Sequence, residues 1–196
     1  MDWLQTIALS AGLAWASGLR LYLVIFLAGV LSHFGYLQLP ATLAVLQHPL
    51  VIAVAGGMAL AELVADKVPA FDSLWDGFQT FIRIPAGALL AAFAMGEVDP
   101  AWMVAAGLIG GTITAGTHFA KAGSRLAINT SPEPFSNWLA SFGEDGMVLG
   151  GLWAMLASPG LFLILLVVFL GLALWLLLRF RALLSRLIGR WQRPVA

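Results

Sequence analysis

The 196-residue chain is 61% hydrophobic and only 10% charged, with a formal net charge of zero and a mean hydropathy of +0.93. Soluble domains carry about 25% charged residues, so the composition excludes an ordinary water-soluble domain and predicts an integral membrane protein with room for about six spans of roughly 20 residues each. Zero net charge leaves no basic footprint for nucleic acid, and the absence of cysteine excludes disulfides, thiol catalysis and Cys-ligated metal.

The chain opens MDWLQTIALSAGLAWA, with an acid where a signal peptide would be basic, and runs straight into further apolar sequence. This predicts a retained membrane segment. Residues 4–36 would make a helix of about 50 Å against a hydrocarbon core of about 30 Å. Arg20 falls at the middle of this run, just after Ser17 and Gly18. A break is therefore expected near ASGLR, giving a kinked helix or two short segments. A lone Arg at the bilayer centre costs about 2.5–3.5 kcal/mol, so Arg20 needs a partner.

A second span is expected over 41–66. Glu62 and Asp66 are four apart and share one helix face, and Lys67 and Pro69 close the helix. Asp72, Trp75 and Asp76 read as a short polar turn. The third span covers about 79–95, with Arg83 in its first turn and Pro85 tolerated near the start. GEVDP (96–100) is an acidic turn. The fourth span starts near Pro100 and carries a GxxxG pair, Gly107 and Gly111, that lets another helix approach closely.

The far end of that span enters a polar window, GTHFAKAGSRLAINTSPEPFSNWLASFGEDG (116–146). His118, Lys121 and Arg125 lie at i, i+3 and i+7, on one face. INTSPEP then ends the helix, because the residue before each Pro is pushed out of the α region. Residues 135–157 read as a fifth span interrupted at Gly143-Glu144-Asp145-Gly146, with the two acids capping a half-helix from Met147. Gly146 and Gly150 form a second GxxxG pair. The last span, 159–178, is almost purely apolar. RFRALLSRLIGRWQRP follows as a basic amphipathic tail suited to anionic lipid headgroups.

The expected architecture is an all-α polytopic bundle of about six spans, with interrupted helices near Arg20 and Glu144. It divides into a transmembrane domain (1–178) and a cytoplasmic tail (179–196). Arg179, Arg181, Arg186, Arg190 and Arg193 place the C-terminus in the cytoplasm. An even number of spans would place the N-terminus there too, with Lys67, Lys121 and Arg125 inside and Glu97 and Asp99 outside. Trp3, Trp75, Trp102 and Trp138 fall near expected interfaces. A weak internal repeat matches Gly56-Gly57 with Gly110-Gly111 and Lys67 with Lys121.

At SGLRLYL (17–23), AELVADKVPAFDSLWD (61–76), IRIPAGALLAA (82–92) and HFAKAGSRLAINTSPEPFSNWLASFGED (118–145), the chain resembles the bacterial membrane proteins called domain of unknown function 4126. The resemblance covers most of residues 10–160, leaves the basic tail outside, and is most specific at SPEP, FSNW and ED. It implies a small polytopic inner-membrane protein and no particular activity. The family's polar motifs map here to Arg20, Glu62, Asp66, Lys67, Asp72, Asp76, Arg83, His118, Lys121, Arg125, Asn129, Ser136, Asn137, Glu144 and Asp145. Where the family usually reads SPGP this chain has Glu133, so Glu133 is not carried over.

Intramembrane ionisable residues mark substrate and ion pathways by default. Left unpaired in lipid, Arg20, Glu144 and Asp145 alone would cost on the order of 8–10 kcal/mol, comparable to a whole protein's stability. The mapped residues are therefore expected to line a polar cavity for an ion or a small anionic solute, phosphate-bearing ones included, in a transporter or channel. An intramembrane enzyme acting on a lipid and a non-catalytic scaffold or assembly protein are the alternatives; a homo-oligomer stays open. No catalytic residue and no cofactor is expected. His118 near Glu62 and Asp66 is a weak metal candidate, because the three His are widely spaced with no HxxxH or HExxH, so no metal is expected.

Overall fold

The computed structural model describes residues 1–129 and 134–191, and the side chains of these except at 69, 70, 73, 134 and 180–191. Ser131, Pro132, Glu133 and Arg193, singled out in the sequence, lie outside the described residues, as do the side chains of Arg181, Arg186 and Arg190. The described residues form helices α1 (Trp3–His33), α2 (Pro49–Ala65), α3 (Pro69–Ala94), α4 (Pro100–Ile128), α5 (Pro134–Ala157) and α6 (Pro159–Trp191), with a short 3-10 helix (Ala41–Gln47) before α2. By length and apolarity four of them could cross a membrane: α1, α3 from Leu74, α4, and α6 to Arg179. The 3-10 helix and α2, bent by 67° at His48, make a fifth if taken as one span. This places 41–66 in a broken element rather than the single helix expected: Pro49 starts α2 afresh, with His48 as its cap.

Helix α1 begins at a capping box, in which the Asp2 carboxylate accepts from the Gln5 N–H and the Gln5 side chain accepts from the Asp2 N–H. It breaks at Arg20, whose φ of −145° and ψ of 76° are not helical. The neighbours on either side show that the break reverses the chain. Going in, Trp3 packs on Trp102, the Ala14 carbonyl accepts from Thr114, and Gly18 meets Thr114 and Thr117. Coming out, Phe26 meets Gly56 and Gly29 meets Ile52. Met1, Gln5 and Leu9 then line one cavity with residues 35–38. Both ends of α1 thus sit at one end of the bundle, with Arg20 at the tip of a helical hairpin. Residues 3–19 span about 26 Å, so Arg20 lies that far along the bundle from Trp3.

From there α2 to α6 run alternately away from and back to that end. Thr42 and Pro40 sit beside Phe93 and Gly96 at the end of α3, and Gly160 opens α6 beside Leu4. The C-terminus of α6 therefore lies at the opposite end from Trp3. Because α1 doubles back, Trp3 and the end of α6 lie at opposite ends of the bundle.

The helix interiors are polar at one end of the bundle and apolar at the other. Leu9, Leu13, Trp15, Val148, Leu152, Met155, Phe162 and Leu166 make the apolar part. Outside, Leu60, Leu108, Trp153, Ile164 and Val167 are each more than 60% exposed, as a lipid-facing surface requires. The first GxxxG pair behaves as expected, with Gly107 and Gly111 facing Ala88 and Ala92 of α3. The second does not: a Cβ on Gly146 or Gly150 would meet nothing within 4 Å, and it is Gly151 that receives Trp15. The half-helix expected from Met147 is also absent, because α5 is continuous through Glu144. The two acids find cations across the bundle, so the backbone need not open to serve them. The repeat is not mirrored in environment either, since Lys121 is buried whereas Lys67 lies over the Phe142 ring, 5.5 Å from its centroid.

Candidate functional site

The hairpin tip enters a charged cluster built from five helices. Helix α3 starts at Pro69, not near Gln79, so Asp72 and Asp76 are helical rather than in a turn. They fall on one stripe with Gln79, Thr80 and Arg83 at helical spacing. Helix α4 presents Thr114, Thr117, His118, Lys121 and Arg125, and α5 presents Asn137, Ser141 and Glu144, each along one buried face. Glu62 and Asp66 come from the end of α2, on the shared face their spacing predicted.

Asp66 is the hub. Its Oδ2 lies 2.5 Å from Arg20 Nη1 and 3.4 Å from both Lys121 Nζ and Arg125 Nη2. Glu144 receives Arg125 Nε at 2.8 Å and lies 3.4 Å from Lys121 and 3.6 Å from Arg20. Arg83 pairs with Glu62 and with Asp76, the latter at 3.1 Å. Lys121 also lies 3.5 Å from Asp76 and donates to the Leu19 carbonyl at 3.2 Å, beside the break in α1. Asp145 meets Arg20 Nε at 2.9 Å. Adjacent residues on a helix point about 100° apart, yet Glu144 and Asp145 both reach this one guanidinium, because its fork spans the gap between them.

The apparatus holds four cations (Arg20, Arg83, Lys121 and Arg125) against five carboxylates (Glu62, Asp66, Asp76, Glu144 and Asp145). His118 adds no charge. Arg83 can only donate, so His118 Nδ1, 3.3 Å away, accepts. Thr80 donates to the Asp76 carbonyl, so His118 Nε2 donates to Thr80 Oγ1 at 2.7 Å. That is the neutral imidazole. Among the described residues no three His, Cys, Asp or Glu side chains are arranged to hold a metal.

Beside the cluster, Asn129 at the end of α4 donates to Asp72 Oδ2 at 3.0 Å. Burial pushes the Asp72 carboxyl up to about 6, against the opposing pull of the Asn129 hydrogen bond. Arg125 also donates to the Asn137 carbonyl and side-chain oxygens at 3.1 and 3.3 Å. Of the fifteen residues expected at the site, Lys67 stands apart over Phe142, and Ser136 lies in the first turn of α5 next to Asn137. The sequence reading missed Ser141, whose Oγ accepts from Arg20 Nη2 at 2.8 Å, and the Thr80 and Gln79 positions. Their signal was the spacing from Asn137 to Glu144 and from Asp76 to Arg83, visible only once 72–83 and 134–157 are read as unbroken helix.

No curated protein and no solved structure matches this chain. The family model described as "Domain of unknown function (DUF4126)" matches residues 7–179, extending past the region 10–160 on which the resemblance was read, to the end of the last apolar stretch. The match spans both arms of the hairpin and every member of the charged cluster, and the chain belongs to this DUF4126 family.

Proposed function

We propose that this chain is a small membrane transporter or channel whose working site is the charged cluster at the hairpin tip. The observation that carries the reading is the break at Arg20. Non-helical backbone at membrane depth is tolerated only where protein buries it or a cavity adjoins it, and broken helices that bring charge to a common point recur at transport sites. Nine ionisable side chains around one such break exceed what packing requires. The excess of carboxylates over cations favours a proton or cation as the transported or coupled species over the anion expected from the sequence, since an added anion would deepen an uncompensated buried charge.

The membrane is proposed to be the bacterial inner membrane. The cluster would lie toward the cytoplasm, on the side of Arg179 and the basic tail, and Trp3 on the other side. The tail would touch anionic headgroups. The test is flux in proteoliposomes under imposed H⁺, Na⁺ and K⁺ gradients, read with a pH-sensitive dye and ion-selective electrodes. Flux above empty vesicles that disappears in Glu144→Gln is expected.

The direct pairing of all four cations favours a second reading, a scaffold whose charges lock the helices together. Absence of flux for every ion, with the protein folded, would leave that reading standing.

A further inference from the structure

A cavity of about 450 Å³ lies between the outgoing arm of α1, α2 and α5. Leu23, Phe26, Ala59, Leu60, Leu63 and Leu149 make its walls, and its only charged lining is Arg20 and Asp145. Leu60 and Leu149 are exposed on the outer surface, so the cavity opens sideways, toward the apolar surroundings of the bundle. Its size lies within the range of about 300–1,000 Å³ typical of small-molecule sites.

The two charged groups at its end are not equivalent. Arg20 is committed: Nη1 to Asp66, Nη2 to the Ser141 hydroxyl and carbonyl. Among the described residues Asp145 touches one cation, Arg20, which Asp66 and Glu144 share. Of the five acids paired with the cluster's cations, it alone has a single cation partner among the described residues. It is also the accessible one, with its side chain 23% exposed against 7% or less for the other four acids. An incoming anion would find Arg20's terminal nitrogens occupied and a carboxylate in its way. An incoming cation would find an under-neutralised carboxylate at the foot of an apolar chamber.

We infer that this cavity binds a hydrophobic organic monocation, an ammonium or phosphonium with apolar substituents, whose charge pairs with Asp145 while its apolar groups lie against Phe26, Leu60, Leu63 and Leu149. Resting on the transport reading, this names the substrate class. Such an ion offsets the charge of Asp145, and the apolar walls favour burial of its apolar groups.

The test uses two ions of the same shape and opposite charge, tetraphenylphosphonium and tetraphenylborate, with the full-length protein in lipid nanodiscs. Saturable binding of radiolabelled tetraphenylphosphonium is expected, weakened at least tenfold in Asp145→Asn and in Ala59→Trp. The second variant fills the cavity and keeps the charge, so it decides the matter if the first does not fold. Tetraphenylborate is expected to bind no better than to empty nanodiscs. Equal binding of the two ions, or tetraphenylphosphonium binding that survives Ala59→Trp, overturns the assignment. Flux, measured for H⁺, Na⁺ and K⁺ and for labelled tetraphenylphosphonium itself, fails independently: tetraphenylphosphonium binding without flux of any of these ions keeps this site and removes the transport reading, whereas flux of H⁺, Na⁺ or K⁺ without such binding does the reverse.

Discussion

Helix α1 passes through two interiors that are equally buried and differently held. Around residues 8–16 it packs by shape: Ser10 donates to the Ala91 carbonyl, Gly12 receives Met155, and Trp15 sits edge-on to Phe162 and Phe169. Around Arg20 it is held by charge, through carboxylates from α2 and α5. Close packing has one arrangement, and displacing it costs contacts at every atom. An ion-pair cluster can exchange partners, since Lys121 alone lies within 4.0 Å of four acids. On the proposed reading, any rearrangement belongs to the tip of the hairpin and not to the end with Trp3 and Trp102.

The sharpest way to break this comparison is to remove one charge. Arg20→Met leaves Asp66, Glu144 and Asp145 short of a cation, and breaking a buried pair costs about 3–5 kcal/mol. A large drop in unfolding midpoint is expected in nanodiscs, and a drop under 1 kcal/mol would mean that water already reaches these acids. Next comes the packed end. A Cβ on Gly110 would collide with the Ala91 Cβ, where α4 crosses α3 close to α1. Gly110→Ala is expected to cost about 1–3 kcal/mol, read in the same denaturation series.

The edge of the cluster gives a smaller, pH-dependent effect. With its carboxyl raised to about 6 and lying ahead of the apolar stretch from Leu74, Asp72 contributes stability that is full below its unfolded value of about 4 and lost as pH rises through 6. Asn cannot titrate. Asp72→Asn should therefore raise the melting temperature at pH 8 and lose that advantage by pH 4. A gain that is the same at both pH values would contradict the assignment. The smallest effect belongs to the outer face of α5, where a methyl on Gly150 meets open space. Gly150→Ala should stabilise by up to about 1 kcal/mol through helix propensity alone. Destabilisation would point to a partner helix seated there.

How much was legible in the sequence follows the same division. Hydropathy located the helices, and the excess length of the first apolar run, with Arg20 inside it, announced the break. The i, i+3, i+7 spacing put His118, Lys121 and Arg125 on one face, where they are buried together. Hydropathy could not tell a kink from a hairpin, because both arms are equally apolar; only contacts with α4 and α2 distinguish them. Two misreadings share one cause. Local polarity at 72–76 and at 143–146 resembles a turn, yet polar side chains with partners across a bundle leave the backbone free to stay helical. Lys67 looked equivalent to Lys121 by spacing, and differs because it lies past the end of α2, outside the inward face.

The central claim is that the cluster opens in use. These 196 residues contain no cysteine, so Ser141→Cys places a single thiol against Arg20, at a fully buried position. Reaction of that thiol in liposomes with a membrane-impermeant cationic methanethiosulfonate, in the absence of denaturant, is the direct measurement. Labelling of the folded protein on a timescale of minutes, slowed by tetraphenylphosphonium, is the predicted result. A thiol that reacts only after denaturation would contradict the account and identify the cluster as a permanent structural core.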